Sequence, residues 1–145
     1  MLETLAAGFF HSPFHIMKQI IEDSLVDSIN QTAKVVHDLA KGKGWHPDGM
    51  SPYEKVQTFV ANEHGEVSEL WEALRSDKLD CLCDKANAMA GIGNMPLTCM
   101  EEELADIVIR ALDTAYSLGV NIGRSISIKT QYNSTRTHRH VGKLA

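Results

Sequence analysis

The sequence predicts an all-α protein, a four-helix bundle in outline, and three observations predict it. Apolar residues recur at three- and four-residue steps over long stretches, the spacing that places them on one face of a helix. Two of these stretches open on a capping box, Ser51-Pro52-Tyr53-Glu54 and Thr98-Cys99-Met100-Glu101. In that motif a hydroxyl and a carboxylate three residues on satisfy each other's free backbone N–H groups. Glycines then stop the patterns, at Gly42 and Gly44 and again at Gly119.

Taken in order, residues 1–24 read as an N-terminal extension and residues 25–145 as one helical domain. Within the extension, Ser12-Pro13 is placed to open a short helix carrying Ile16, Met17, Ile20 and Ile21. The first long helix starts at Leu25 and shows Ile29, Thr32, Val36 and Leu39 on one face. Trp45-His46-Pro47-Asp48-Gly49 follows as a loop, by its Pro and Gly content. The second helix carries the stripe Val56, Val60, Val67, Leu70 and Leu74 to about Ser76. Glu63 falls in the middle of that stripe, and Glu66 and Glu69 on its flank, at the rim of a bundle core.

Residues Asp77 to Leu97 break the periodicity and predict a long connection with one short helix around Leu79 to Ala90, of a kind that serves as a lid or binding loop. The third helix runs through Leu104, Ile107, Val108, Ala111, Leu112 and Ala115, with Glu103, Asp106, Arg110 and Asp113 on a separate polar face. Asn121 caps the fourth, whose stripe begins with Ile122 and Ile126 and turns polar at Lys129, Asn133 and Arg136. The basic tail from Thr137 to Lys143 reads as irregular, with His138 and His140 as plain tail residues.

Composition narrows the function classes. No stretch approaches the ~20-residue apolar run of a membrane span, and the short apolar patch Ala6 to Phe10 lacks the basic start of a signal peptide. The expectation is a cytoplasmic protein. Cys81, Cys83 and Cys99 are odd in number and lack the two-residue spacer of common zinc or redox motifs. A net charge of −5 argues against a sequence-independent grip on nucleic acid, which needs a clustered basic surface.

The chemistry concentrates in carboxylates. Glu66 and Glu69 stand three apart on one helix, as do Glu103 and Asp106 on another, so an antiparallel pairing of the two helices makes a four-carboxylate cage. Ionised groups packed so closely raise one another's pKa unless a cation joins them. Hard oxygen donors in that number suit Mg²⁺, with Mn²⁺ as a substitute.

Glu66-x-x-Glu69, Glu103-Leu104-Ala105-Asp106 and Lys129-x-x-x-Asn133-x-x-Arg136 together resemble the MazG-like superfamily of all-α nucleoside triphosphate pyrophosphatases, from about the first long helix to His140. The resemblance implies a MazG-type fold completed as a homodimer or homotetramer. It implies Mg²⁺-dependent hydrolysis of a nucleoside triphosphate, ribo- or deoxyribo-, to the monophosphate and pyrophosphate. It makes Glu66, Glu69, Glu103 and Asp106 the metal ligands and catalytic set, and Lys129, Asn133 and Arg136 the phosphate contacts. Glu72 matches a recurrent family carboxylate, and Trp45 stands where related enzymes place an aromatic against the base. Two features depart from the pattern: Glu63, which reads as an extra ligand, a base, or a carboxylate tied to a core His or Lys, and the long 77–97 connection.

For Trp45 the competing reading is a hydrophobic plug for the end of the bundle. For the whole chain the alternatives are a phosphoribosyl-ATP pyrophosphohydrolase, which shares the carboxylate cage, and a non-catalytic helical oligomerisation module that keeps an acidic metal site.

Overall fold

The structure, a computed structural model, describes residues 13–136, with side chains from residue 22 onward. It is all-helical: α1 (Pro13–Gly42), α2 (Pro52–Arg75), α3 (Ala86–Gly91), α4 (Cys99–Ser117) and α5 (Ile122–Ser134). The predicted short helix after Pro13 and the long helix from Leu25 are one continuous element of 30 residues, so the boundary drawn at Leu25 falls inside α1. No proline or glycine interrupts the chain between Phe14 and Lys41, and a helix once nucleated propagates through such a stretch. Ser12 and the tail with His138 and His140 lie outside the described residues.

Both capping boxes form. Ser51 Oγ accepts from the Glu54 N–H at 3.3 Å and the Ser51 N–H donates to Glu54 Oε2 at 2.8 Å. Thr98 and Glu101 repeat the exchange at 3.3 and 2.9 Å. Gly119 ends α4 with φ of 70°, a conformation that costs a side-chain-bearing residue roughly 1 kcal/mol.

The helices do not close into a ring. α4 packs against both α2 and α1, α5 packs mainly on α1 and also touches α4, and among the described residues α2 approaches no helix but α4. The α1–α5 contact is close because Gly123 lies against α1: a Cβ at that position would stand 2.4 Å from the Val26 carbonyl oxygen. Asn30 fixes the same junction, donating to Asn121 Oδ1 at 2.9 Å and accepting from the Gly123 N–H at 3.0 Å.

The long connection is more ordered than its composition suggests. Its two ends pair with each other: the Cys83 N–H donates to the Leu97 carbonyl at 3.0 Å, and the Cys99 N–H to the Cys81 carbonyl at 2.9 Å. Helical structure there is confined to the six residues of α3, while Cys83 and Ala86 are buried against the rest.

The apolar core is thin. Among the described residues the buried apolar side chains are Ala33, Phe59, Cys83, Ala86, Leu112 and Ala115, and no large side chain is fully enclosed. Val60, Val67, Trp71 and Leu74 on α2, with Leu104 and Val108 on α4, stay about half exposed.

Candidate metal centre

Antiparallel packing of α2 on α4 brings the two acidic segments together. Carboxylate oxygens of Glu66, Glu103 and Asp106 all lie within 4.8 Å of one another. Glu66 and Glu103 are each 8% exposed, and Asp106 is half-buried. Glu103 Oε2 is buried with no hydrogen-bond partner. Such an atom costs on the order of 1–3 kcal/mol when nothing compensates it, and more when it is charged.

The electrostatics point the same way. Burial, then the charges of Glu69 and Glu102, push the Glu103 carboxyl above its ordinary value; burial, then Glu66, does the same to Asp106. Two basic groups offset part of this charge. The Arg110 Nε–H donates to Glu66 Oε1 at 2.8 Å, and Lys85, from the long connection, forms an ion pair with buried Glu102. That hydrogen bond to Glu102 raises the Lys85 ammonium pKa, so lysine stays charged. Arg110 also lies over the Trp45 ring, 4.8 Å from its centroid.

Acidic clusters on protein surfaces are common without any ion. Here Glu66 and Glu103 are buried, Asp106 is half-buried, one oxygen is unpartnered and burial raises the pKa of both Glu103 and Asp106, a deficit of the kind a divalent cation offsets. The donors are all oxygen, the set that suits Mg²⁺ or Mn²⁺ and not a thiolate- or imidazole-seeking ion.

The remaining predicted residues divide. Glu69 is exposed and stands outside the three-carboxylate set, though its charge is felt at Glu103. Glu63 is half-buried one turn from Glu66, and its Oε1 accepts from the Thr114 hydroxyl at a long 3.5 Å. Glu72 is on the surface, paired with Arg75. Trp45 neither plugs the bundle nor stands free, being 54% exposed under Arg110. Lys129, Asn133 and Arg136 are exposed; Lys129 lies 4.9 Å from the centroid of the Tyr132 ring. α5, which carries them, packs mainly on α1 and among the described residues makes no helix contact with α2.

Arg110, Lys85 and Glu102 were not singled out from the sequence as parts of the site. Arg110 was legible as a neighbour of Asp106 on one face, at i+4; Lys85 was not, because its place depends on how the connection folds back. Compared with family models, with curated proteins and with solved structures, the chain finds no match.

Proposed function

We propose that the chain is a Mg²⁺-dependent nucleoside triphosphate pyrophosphohydrolase of MazG-like type, yielding the monophosphate and pyrophosphate. The observation that carries the reading is the unpartnered Glu103 Oε2 inside the Glu66–Glu103–Asp106 cluster. Those three carboxylates hold the ion, with Glu69 beside them. A divalent cation bound there supplies charge neutralisation for a phosphate chain.

The protein's own groups do the rest. Arg110 holds Glu66 in place and leaves Trp45 with an exposed ring. Half-buried Glu63, one turn from Glu66, is the candidate to accept a proton from the attacking water. Lys85 pairs with Glu102 and sits within electrostatic reach of Asp106.

The enzyme works as a homo-oligomer, built on the apolar groove of about 430 Å³ formed by Val67, Leu70, Trp71, Leu74, Leu79, Met100 and Leu104. A second copy covers the face of α2 that one chain leaves open. Such a partner also gives Lys129, Asn133 and Arg136 a route to phosphate.

A panel of nucleoside triphosphates and phosphoribosyl-ATP, assayed with Mg²⁺ for pyrophosphate release, tests the proposal. Turnover of one or more triphosphates supports it, and turnover of phosphoribosyl-ATP alone replaces it with the related activity. Protection against unfolding by Mg²⁺ with no turnover of any nucleotide leaves a metal-binding oligomerisation module.

A further inference from the structure

Two helical turns beyond the carboxylates, α4 carries a second cluster of different chemistry. Asp113, 4% exposed, accepts from His37 Nδ1 of α1 at 2.8 Å through Oδ1. It accepts from His46 Nε2 of the loop before α2 at 2.8 Å through Oδ1 and at 2.9 Å through Oδ2. Three side chains from three separate parts of the chain thus converge, each offering one metal-ligating atom. The imidazole rings are splayed around the carboxylate, with centroids 4.4 Å apart and planes tilted by 59°.

We propose that His37, His46 and Asp113 form a second metal site, which takes a borderline divalent cation such as Zn²⁺ or Co²⁺ and ties the Trp45 loop to α1 and α4. Two imidazoles and a carboxylate are a donor set for such ions, whereas the all-oxygen centre suits Mg²⁺.

Tetrahedral ligation at about 2.0–2.2 Å separates donor atoms by roughly 3.3 Å. The observed 2.8–2.9 Å contacts therefore open by a few tenths of an ångström, which small ring rotations supply. His37 and His46 also line a cavity of about 340 Å³, bordered by Lys41, Asp48, Lys55 and Tyr116, which gives an entry path and room for a further ligand. The Ser117 side chain, another lining residue, has its Oγ buried without a partner. Neighbouring rings, Tyr116 at 4.9 Å from His37 and Phe59 at 5.4 Å from His46, hold the imidazoles from behind.

The site is tested with the metal alone. Chelator-treated protein, held in excess Mg²⁺ to occupy the carboxylate centre, is titrated with Co²⁺ and followed by visible absorption. The expected result is saturable uptake of one ion per chain with the absorption of imidazole-containing coordination, reversed by Zn²⁺. Affinity should fall at least about tenfold in His37→Gln and in His46→Ala and stay unchanged in Glu103→Gln. Circular dichroism reports whether each variant folds, and His46→Ala, in the loop between α1 and α2, carries the test if His37→Gln unfolds. No saturable uptake, or uptake kept in His46→Ala and lost in Glu103→Gln, overturns the proposal.

Discussion

Arg110 on α4 donates its Nε–H to Glu66 Oε1 on α2 at 2.8 Å while its guanidinium lies over Trp45, so one side chain links the carboxylate cluster to the loop before α2. Both partners are largely buried, with side-chain exposures of 25% and 11%. Truncating one member leaves the other charge without its counter-ion, the costly way to break such a pair.

Arg110→Ala is therefore expected to destabilise the fold by about 2–3 kcal/mol, below the full buried-pair cost because the arginine is partly exposed. Urea denaturation measures this. The double variant Arg110→Ala with Glu66→Gln should recover much of the loss without recovering turnover, because the second change removes the stranded charge and also a metal ligand.

Glu103 gives a prediction of opposite sign. Its carboxyl is held above the ordinary 4.5, so its contribution to stability is present at low pH and is lost as pH rises through its folded-state value. In chelator, Glu103→Gln should melt higher than wild type by about 2–4 °C at neutral pH, on the order of 1 kcal/mol, and the gap should close below about pH 4.5. Added Mg²⁺ should raise the wild-type midpoint and leave the variant unmoved. Equal midpoints for wild type with Mg²⁺ and with chelator contradict the metal centre.

These two residues show how far the sequence could be read. Capping boxes and periodicity located α2 and α4 to within a residue or two, because both signals are local. The pairing of Glu66 with Glu103 and Asp106 followed from the three-residue spacing together with antiparallel packing. Glu69 is exposed and outside the three-carboxylate set, although its charge is felt at Glu103; a three-residue spacing does not by itself fix how far each carboxylate turns inward, since Glu103 and Asp106 share that spacing and both join the set. The His37–Asp113–His46 cluster joins residues 67 and 76 positions apart, and no local pattern announces a contact of that range. Where the polar end of α5 lies depends on Gly123 and Asn30 docking onto α1, a long-range contact that periodicity does not encode.

That docking yields a third prediction. Gly123→Ala drives a methyl group into the Val26 carbonyl, where backbone and not a flexible side chain must yield. A loss of about 1–3 kcal/mol is expected, with α1 and α5 parting first. Hydrogen exchange should show faster amide exchange in α5 and unchanged exchange in α2.

The open face of α2 yields a fourth. Wild-type protein at micromolar concentration should scatter light as a dimer or larger, since the exposed apolar side chains of α2 and α4 form a patch that a stable monomer rarely presents. Trp71→Glu, 59% exposed in the single chain, should give a folded monomer. A wild-type monomer contradicts the assembly.

The central claim concerns which bond breaks, and turnover of a nucleoside triphosphate with Mg²⁺ in oxygen-18 water reads it directly. Attack at the α-phosphorus releases the β- and γ-phosphates together as metal-chelated pyrophosphate, a well-stabilised leaving group. Mass spectrometry should therefore find the label in the nucleoside monophosphate, with unlabelled pyrophosphate as co-product. Label in pyrophosphate means attack at the β-phosphorus; label in orthophosphate beside a nucleoside diphosphate, or no turnover of any triphosphate, contradicts the account.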